Sequence, residues 1–365
     1  MNKPAASVLR ILIVRTDRIG DVVLSLPVAS ALRRSHPESH LAMLVQPAVR
    51  EIVADHPDLN SVLFDGPEEH GGFGFFRLIR RIRMEAFDAA LLLHPTFRLA
   101  LVLALSWIRI RIGTGYRWYS FLFNRRVFEH RKTSVRHEAE YNLSLARMLG
   151  SDSKPVEFRI GVPESAKRNV EAFLREKRIH QCRPLVVLHP GSRGSALDWP
   201  MQSFARLAER LVDEAGACVV VSGGVDETEI ASQVVRPDSR RAVSAAGRFT
   251  LKELCALLER ADLFIANSTG PLHLARAMNV EVVGFYPPLV PASPRRWGPY
   301  GRIGSVLMPD LPGCRTCRRG NCPEWNCMKK ISVEEAWRMV SKKLQAMGYP
   351  IRTIGVAFHN GTSGQ

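Results

Sequence analysis

The stretch that decides the fold is Val8–Val14 (VLRILIV), which runs directly into Arg15–Asp21 (RTDRIGD). The first segment is an almost unbroken β-branched and aliphatic run, typical of a strand buried on both faces of a parallel sheet. An amphipathic stretch to about Arg34 follows the polar turn. A buried strand, a short polar turn and a helix are the opening unit of a doubly wound α/β fold.

The same order of elements recurs along the chain. Further strands are predicted at 40–45, 61–64, 89–93, 109–112, 185–189, 218–222, 262–266 and 280–285, with helical patterns between most of them. A polar, Pro-containing segment at 151–163 interrupts the pattern. We therefore expect two doubly wound parallel sheets, in a first domain of residues 1–165 and a second of 166–346. Residues 347–365 lack periodicity and are expected to be a disordered tail.

Charge and hydropathy narrow the class of protein. The 365 residues are 46% hydrophobic, and 51 Lys+Arg against 35 Asp+Glu give a net charge of +16, which favours an acidic partner such as a nucleic acid, an anionic membrane or a phosphorylated substrate. No secretory signal is visible, and the longest apolar run, 99–108, has about half the length of a membrane span. We expect a cytoplasmic protein, resting on a membrane at most.

The turn after the first strand carries candidate acid–base chemistry. Asp21 could accept a proton from a substrate hydroxyl, and Gly20 would let a backbone approach closely. Residue type alone favours a plainer role for Asp17 or Asp21, as a helix cap. The turn has one glycine and is not a GxGxxG dinucleotide fingerprint, which argues against a dehydrogenase.

Two segments of the second half suggest anion binding. Residues 188–195 (LHPGSRGS) follow a strand and place small residues beside Arg193. Residues 266–275 (ANSTGPLHLA) place good N-cap residues and Pro271 at a helix start, where free N–H groups can hold a phosphate. The alternative is an ordinary capped helix with His273 packed in its first turn. A third strand end, with Glu227, could bind ribose hydroxyls or simply cap a helix.

Basic and aromatic residues are concentrated in the first half. Arg77, Arg80, Arg81 and Arg83 lie in one short helix, and more arginines alternate with aromatic residues from 98 to 136. This region could bind substrate phosphates, anionic lipid or single-stranded nucleic acid, or be a solvated face.

The seven cysteines fall into two groups. Cys182, Cys218 and Cys255 stand singly in apolar contexts and are expected to be reduced core residues. Cys314, Cys317, Cys322 and Cys327 form a tight cluster that could hold a structural zinc, with free thiols or a disulfide as the alternatives.

Taken in order, these segments resemble glycosyltransferase family 9, the ADP-heptose:lipopolysaccharide heptosyltransferases. The resemblance spans about residues 8–345 and rests on 11–24, 188–191, the Trp199-Pro200 pair, 266–275 and Cys327-Met328. It implies a GT-B fold of two Rossmann-like domains facing a central cleft. It also implies a metal-independent, inverting transferase that moves heptose from a nucleotide-diphosphate sugar to the lipopolysaccharide inner core, at the inner leaflet of the bacterial inner membrane.

The resemblance also implies roles for single residues. Asp21 matches the catalytic aspartate, Thr269 and Gly270 match the diphosphate-binding pair, and Glu227 falls near the ribose-binding glutamate. With the motif residues above, the expected donor site is Gly191, Ser192, Arg193, Glu227, Ser268, Thr269, Gly270, Pro271 and His273. The expected acceptor site, for an anionic glycolipid, is Arg18, Gly20, Arg77, Arg80 and Arg81.

One departure bears on the donor. Relatives often carry a basic residue just before the Trp-Pro pair, where this chain has Leu197 and Asp198. Either Arg193 supplies that charge or the donor sugar differs. Other open alternatives are a different core acceptor and, in another class, a basic non-catalytic protein that binds nucleic acid or membrane. The transferase hypothesis predicts no required cofactor and no nucleic-acid partner.

Overall fold

The computed structural model describes residues 9–152, 154, 157–194, 196–317, 321–324 and 326–352. Their strands form two six-stranded sheets. The strands of the first sheet are β1 Arg10–Val14, β2 His40–Val45, β3 Ser61–Phe64, β4 Ala89–Leu92, β5 Ile110–Thr114 and β6 Arg125–Val127. Those of the second are β7 Leu185–His189, β8 Cys218–Val221, β9 Ala242–Ser244, β10 Leu263–Asn267, β11 Glu281–Phe285 and β12 Val306–Leu307.

Helices cover both sheets. In chain order they are α1 Ile19–Val23, α2 Leu26–Ser35, α3 Arg50–Val53, α4 Gly72–Met84, α5 Phe97–Leu105, α6 Glu138–Arg147, α7 Glu164–Glu176, α8 Met201–Asp213, α9 Thr228–Val234, α10 Leu251–Arg260, α11 Gly270–Ala277, α12 Pro294–Trp297 and α13 Val333–Ala346.

Both sheets have the same doubly wound order. The first runs β3-β2-β1-β4-β5-β6 and the second β12-β11-β10-β7-β8-β9, with every paired strand parallel. The predicted α/β class with two parallel sheets is confirmed. In each sheet the winding reverses between two central strands, β1 and β4 in the first and β7 and β10 in the second. Open α/β sheets bind ligands at the carboxyl ends of such strand pairs.

Some elements differ from the sequence prediction. The single helix expected up to Arg34 is two helices, because Pro27 stands in the first turn of α2 and has no N–H to continue α1. The Ser25 hydroxyl donates to the Asp21 carbonyl at 2.7 Å across this break. The strands β6, β9 and β12 were not predicted. Each has two or three residues at or near a sheet edge, too short for a periodic pattern.

The two sheets share one hydrophobic core. Its largest cluster of buried side chains includes Ile13 of β1 and Phe264 of β10, and two further clusters cover the other faces. Helix α1 packs against α11, so the helices that follow the central strands of the two sheets meet directly. The apolar run at 99–108 forms α5 and the turn after it, as expected. Among the residues described, no helix is long and apolar enough to cross a bilayer.

The second half shows the state of the three single cysteines and of the first residues of the predicted tail. Cys182 and Cys218 were expected to be reduced core residues, and this was wrong: they are joined in a disulfide, because the start of β8 lies beside the loop before β7. Cys255 is buried and free, as expected. Of the predicted tail, Tyr349 donates a hydrogen bond from its hydroxyl to Asp262, and residues 353–365 lie outside the described part of the chain.

Candidate functional site

A cavity of about 650 Å³ lies where the carboxyl ends of the two sheets meet. The first half contributes Asp17, Arg18 and Glu51 to its wall, among others. Of the predicted donor residues, the wall contains Ser192, Arg193, Glu227, Thr269, Gly270 and Pro271. Sites for small molecules typically measure 300–1,000 Å³, so the cavity has room for a ligand of nucleotide-sugar size.

The loops after β7 and β10 are fixed to each other by Asn267. Its side chain is fully buried, accepts a hydrogen bond from the Trp199 N–H at 2.7 Å and donates one to the Pro190 carbonyl at 2.6 Å. The indole N–H of Trp199 in turn donates to the Ile331 carbonyl at 2.8 Å. These bonds place the start of α11 and the loop around Ser192 side by side at one edge of the second sheet.

The start of α11 lies open to the cavity. Thr269 is its N-cap residue in extended conformation, and no side chain caps the helix. Thr269, Gly270 and Pro271 all line the cavity. The first N–H groups of a helix lack partners within it and carry a partial positive charge, so this end can bind an anion.

Gly20 of α1 and Gly270 of α11 pack against each other. A Cβ built on Gly20 would lie 3.1 Å from the Gly270 Cα and 2.9 Å from Cδ2 of His273. His273 is buried in this contact rather than lining the cavity, and burial lowers its pKa to about 3, so its ring is neutral. The close approach permitted at Gly20 is therefore to the other half of the chain.

Glu227 caps a turn and also faces the cavity. One of its oxygens accepts the Gly224 N–H at 2.7 Å, which caps the turn before α9, and the side chain also lines the cavity. A Cβ on Gly191 would lie 2.0 Å from the other oxygen, so a larger residue at this position would push the carboxylate out of its present place. The Arg193 guanidinium lies over Gly224 and is 3.5 Å from Asp226.

Asp21 lies one step behind the cavity wall, in a cluster of charged groups. Arg15, almost fully buried at the end of β1, donates to Asp21 at 2.5 Å and to Asp17 at 2.7 Å. Asp17 also lies 2.9 Å from Nδ1 of His94. Burial raises the pKa of Asp21, Arg15 opposes the rise, and the neighbouring carboxylates add to it. For Asp17, Arg15 and His94 outweigh burial and lower the pKa.

Neither aspartate caps α1. The N-cap residue is Arg18, and no side chain bonds to the free N–H groups there. The simple capping role that residue type favoured for Asp17 or Asp21 is therefore wrong. The structure instead gives both carboxylates a guanidinium partner and leaves Asp17 at the cavity wall. Whether Asp21 receives a proton from a substrate stays a prediction.

The predicted acceptor residues are not gathered at one place. Arg18 is exposed at the cavity wall, whereas Arg77, Arg80 and Arg81 lie on α4, away from that wall. Arg77 and Arg81 both pair with the buried Glu69 at 3.3 Å. Arg80 is exposed, and in the described part of the chain its side chain has no hydrogen bond or ion pair.

Sequence reasoning missed part of the cavity wall. His189 ends β7, where burial lowers its pKa to about 4. Phe249 and Thr250 line the cavity from the loop between β9 and α10. His189 could have been found, since it ends a predicted strand. The β9 loop could not, because β9 itself gives almost no sequence signal.

The geometry of the described residues gives no support to a zinc site at the cysteine cluster. Among the described residues, no three His, Cys, Asp or Glu side chains are arranged to hold a metal ion. The four thiols are nevertheless neighbours: burial raises the pKa of Cys327, and Cys314, Cys317 and Cys322 add to that rise.

Comparisons with known proteins agree with the fold. Residues 75–328 match the profile of a family described as glycosyltransferase family 9 (heptosyltransferase). A candidate glycosyltransferase of Haemophilus influenzae is 31% identical over 303 residues, which are 80% of this chain and 87% of that protein. Lipopolysaccharide heptosyltransferase 3 of Escherichia coli is 26% identical over 73% of this chain and 80% of its own length. The solved E. coli ADP-heptose lipopolysaccharide heptosyltransferase II superposes with a TM-score of 0.74 at 21% identity, covering 93% of this chain and all of that one.

Proposed function

Because this chain belongs to glycosyltransferase family 9, we propose that it transfers a heptose from a nucleotide-diphosphate sugar, ADP-heptose, to an anionic lipopolysaccharide inner-core acceptor. The observation that carries the proposal is the cavity between the two sheet edges, with an uncapped helix start on one side and a cluster of carboxylates on the other. The two domains, divided near residue 165, would hold the acceptor and the donor respectively.

The donor would bind along the second half of the wall. The diphosphate would accept hydrogen bonds from N–H groups at the start of α11, beside Thr269 and Gly270. Glu227 would use its second carboxylate oxygen to accept hydrogen bonds from ribose hydroxyls, because the first oxygen accepts from the Gly224 N–H. Gly191, Ser268 and His273 do not line the cavity as it stands, so direct donor contacts by these three stay predictions.

The chemical step would be a single displacement with inversion. An acceptor hydroxyl oxygen attacks the anomeric carbon, its proton passes to Asp21, and the bond from that carbon to the diphosphate oxygen breaks. The raised pKa of Asp21 suits it to take this proton. The electron pair leaves with the nucleoside diphosphate, and fixed N–H dipoles at α11 stabilise the growing charge because they need no reorganisation.

Arg193 is placed to supply the charge missing before Trp199. Its guanidinium reaches over Gly224 into the cavity and is largely exposed, with the exposed Asp226 as an ion-pair partner at 3.5 Å. Burial raises the pKa of Asp198, and a hydrogen bond with Ser192 partly opposes that rise. We therefore assign the phosphate contact to Arg193 and not to residues 197–198.

The test is release of ADP from ADP-heptose by the purified protein, with and without a heptose-deficient core glycolipid. Acceptor-dependent release is expected, and Asp21→Asn should lower turnover at least about a hundredfold while nucleotide binding is kept. Arg206→Gln, a charge loss on the exterior helix α8, is the matched control. ADP release that does not depend on any core acceptor would count against the transferase proposal.

A membrane-facing surface would bring the enzyme to its lipid acceptor. The outer face of α4 carries Phe73, Phe76 and Met84, all at least 66% exposed, alternating with exposed Arg77 and Arg80. Trp107, which is 74% exposed, stacks on Arg83 of the same helix. Exposed aromatic residues mixed with arginines are typical of surfaces that insert into an anionic interface. We place this face on the cytoplasmic side of the inner membrane.

Vesicle sedimentation tests this surface. The protein should bind vesicles containing anionic lipid and not purely zwitterionic ones, and Phe73→Ser with Phe76→Ser should reduce binding. Arg80→Glu is the better charge variant, since Arg81 is needed by Glu69. Ile303→Ser, at a similarly exposed apolar residue of the second half, is the control. Unchanged binding of the phenylalanine variant would refute this surface.

A structural zinc at the cysteine cluster stays a prediction, because the described residues show no arrangement of ligands that would hold it. No catalytic step needs a metal here. Metal analysis of protein purified without chelators tests it directly: about one zinc per chain, lost in Cys322→Ser, would establish a structural site. Metal-free protein with full activity would exclude one.

A further inference from the structure

Asp21 belongs to a cluster of six charged side chains, which come from both halves of the chain and are mostly buried. Arg15 uses a different nitrogen for each of three carboxylates: Nε for Asp17, Nη2 for Asp21 and Nη1 for Glu138, the last at 3.1 Å. Glu138, at the start of α6, is 1% exposed. Two more arginines, Arg131 and Arg296, complete the cluster on the far side of Glu138.

Glu138 is the centre of this cluster. One of its oxygens accepts from Arg15 and from Arg131, the latter at 2.7 Å. The other accepts a hydrogen bond from Nε of Arg296 at 2.9 Å and lies 2.8 Å from Nη2 of the same guanidinium. Hydrogen bonds between ionised groups are among the strongest in proteins. The three guanidinium groups outweigh burial and keep the pKa of Glu138 below its ordinary value, so Glu138 is ionised.

Arg296 comes from the other half of the chain. It lies in α12, after the second sheet's strand β11, and is held against the first half at both ends of its segment. Upstream, Ser134 donates to the Val290 carbonyl at 3.0 Å. Downstream, the ring of His137 lies 2.9 Å from the Gly298 carbonyl. The position of Arg296 on Glu138 therefore depends on how the two halves are seated.

We propose that Glu138 and Arg296 are positioning residues for the transfer reaction: Arg296 of the second half holds Glu138, and Glu138 and Asp21 then share the guanidinium of Arg15. The inference rests on the proposed function, since it gives Asp21 the role of base. With Asp17, Asp21 and Glu138 ionised, three carboxylates balance three guanidinium groups. The second half thus sets the charge balance around the base of the first.

The electrostatic consequence has a definite sign. The groups facing Asp21 are Arg15, which directly follows β1, Asp17 from the turn and Glu138 from α6. His94 acts on it only through Asp17, and His273, from the packed helix α11, is neutral. Without the charge of Glu138, Arg15 interacts with the two aspartates alone, and the pKa of Asp21 falls. Without Arg296, Arg15 interacts more strongly with Glu138 and less with Asp21, and the pKa of Asp21 rises.

The pH dependence of kcat tests this at saturating donor and acceptor. Glu138→Gln should move the acidic limb of the profile about one unit down, and Arg296→Gln should move it about one unit up. The double variant restores the charge balance and should return the limb toward that of the wild type. Arg296→Lys keeps the charge and should change it little. A purely structural role would lower activity at all pH values without opposite shifts.

The outcomes separate this inference from the proposed function. Opposite shifts of the two single variants support it, and shifts in one direction, or none, overturn it. If Glu138→Gln fails to fold, the contrast between Arg296→Gln and Arg296→Lys decides the question, because Arg296 is closer to solvent than Glu138: an upward shift in the first alone supports the inference, and equal profiles overturn it. Stabilisation by ADP verifies the fold of each variant. Asp21→Asn in the same assay tests the base itself: full activity there refutes the base, not only its positioning.

Discussion

The proposed mechanism depends on the close contact between Gly20 and Gly270, and the substitution Gly20→Ala tests this dependence. A Cβ at Gly20 would lie 2.9 Å from Cδ2 of His273. Carbon atoms pack best at about 3.5–4.0 Å, so the new atom would be roughly 0.6–1.1 Å too close. His273 is buried and cannot swing into solvent, so α1 and α11 must move apart by a similar distance.

Two measurable losses follow from that separation. Overpacking of this kind costs about 1–3 kcal/mol of unfolding free energy, measurable by urea denaturation. A displacement of about 1 Å between base and donor site lowers turnover by up to about a hundredfold. ADP affinity should change little, because the nucleotide would contact only the second half. Gly304→Ala is the control, since nothing lies within 4 Å of its Cβ position. Wild-type turnover and stability for Gly20→Ala would refute the packing argument.

Three further predictions concern the donor site and pH. Thr269→Ala should weaken ADP binding, measured by calorimetry, with Thr133→Ala on the exterior as control; unchanged affinity would remove the diphosphate from α11. Arg193→Ala should raise the KM for the sugar nucleotide more than it lowers kcat, and an unchanged KM would move the phosphate contact elsewhere. Burial lowers the pKa of His56 and of His189 to about 4 in the folded protein. As pH falls below about 6.5, these two histidines are therefore protonated first in the unfolded chain. Each histidine should lower the free energy of unfolding by about 1 kcal/mol between pH 7 and 5.5. His56→Gln should make that urea-denaturation pH profile shallower, and an identical slope would contradict a neutral buried ring.

The sequence was sufficient for the fold class because parallel strands buried on both faces leave an unambiguous pattern. Runs such as 11–14 and 185–188 are typical of central strands, and the turns after them carry small and polar residues. The start of α11 could also be identified, since Thr269, Gly270 and Pro271 have the local chemistry of a helix start. These features depend on neighbours in the chain, and so a single sequence reveals them.

Tertiary structure alone decided which residues meet across the two halves. No local pattern distinguishes Glu138 or Arg296 from the many charged residues of a basic chain, yet they lie 158 positions apart in sequence and form a hydrogen-bonded ion pair. The burial of His273 against Gly20, and the pairing of Arg77 and Arg81 with Glu69 rather than a ligand, likewise follow from packing. A charge acquires its role from the groups that desolvate and surround it, and those groups are brought together only when the chain folds.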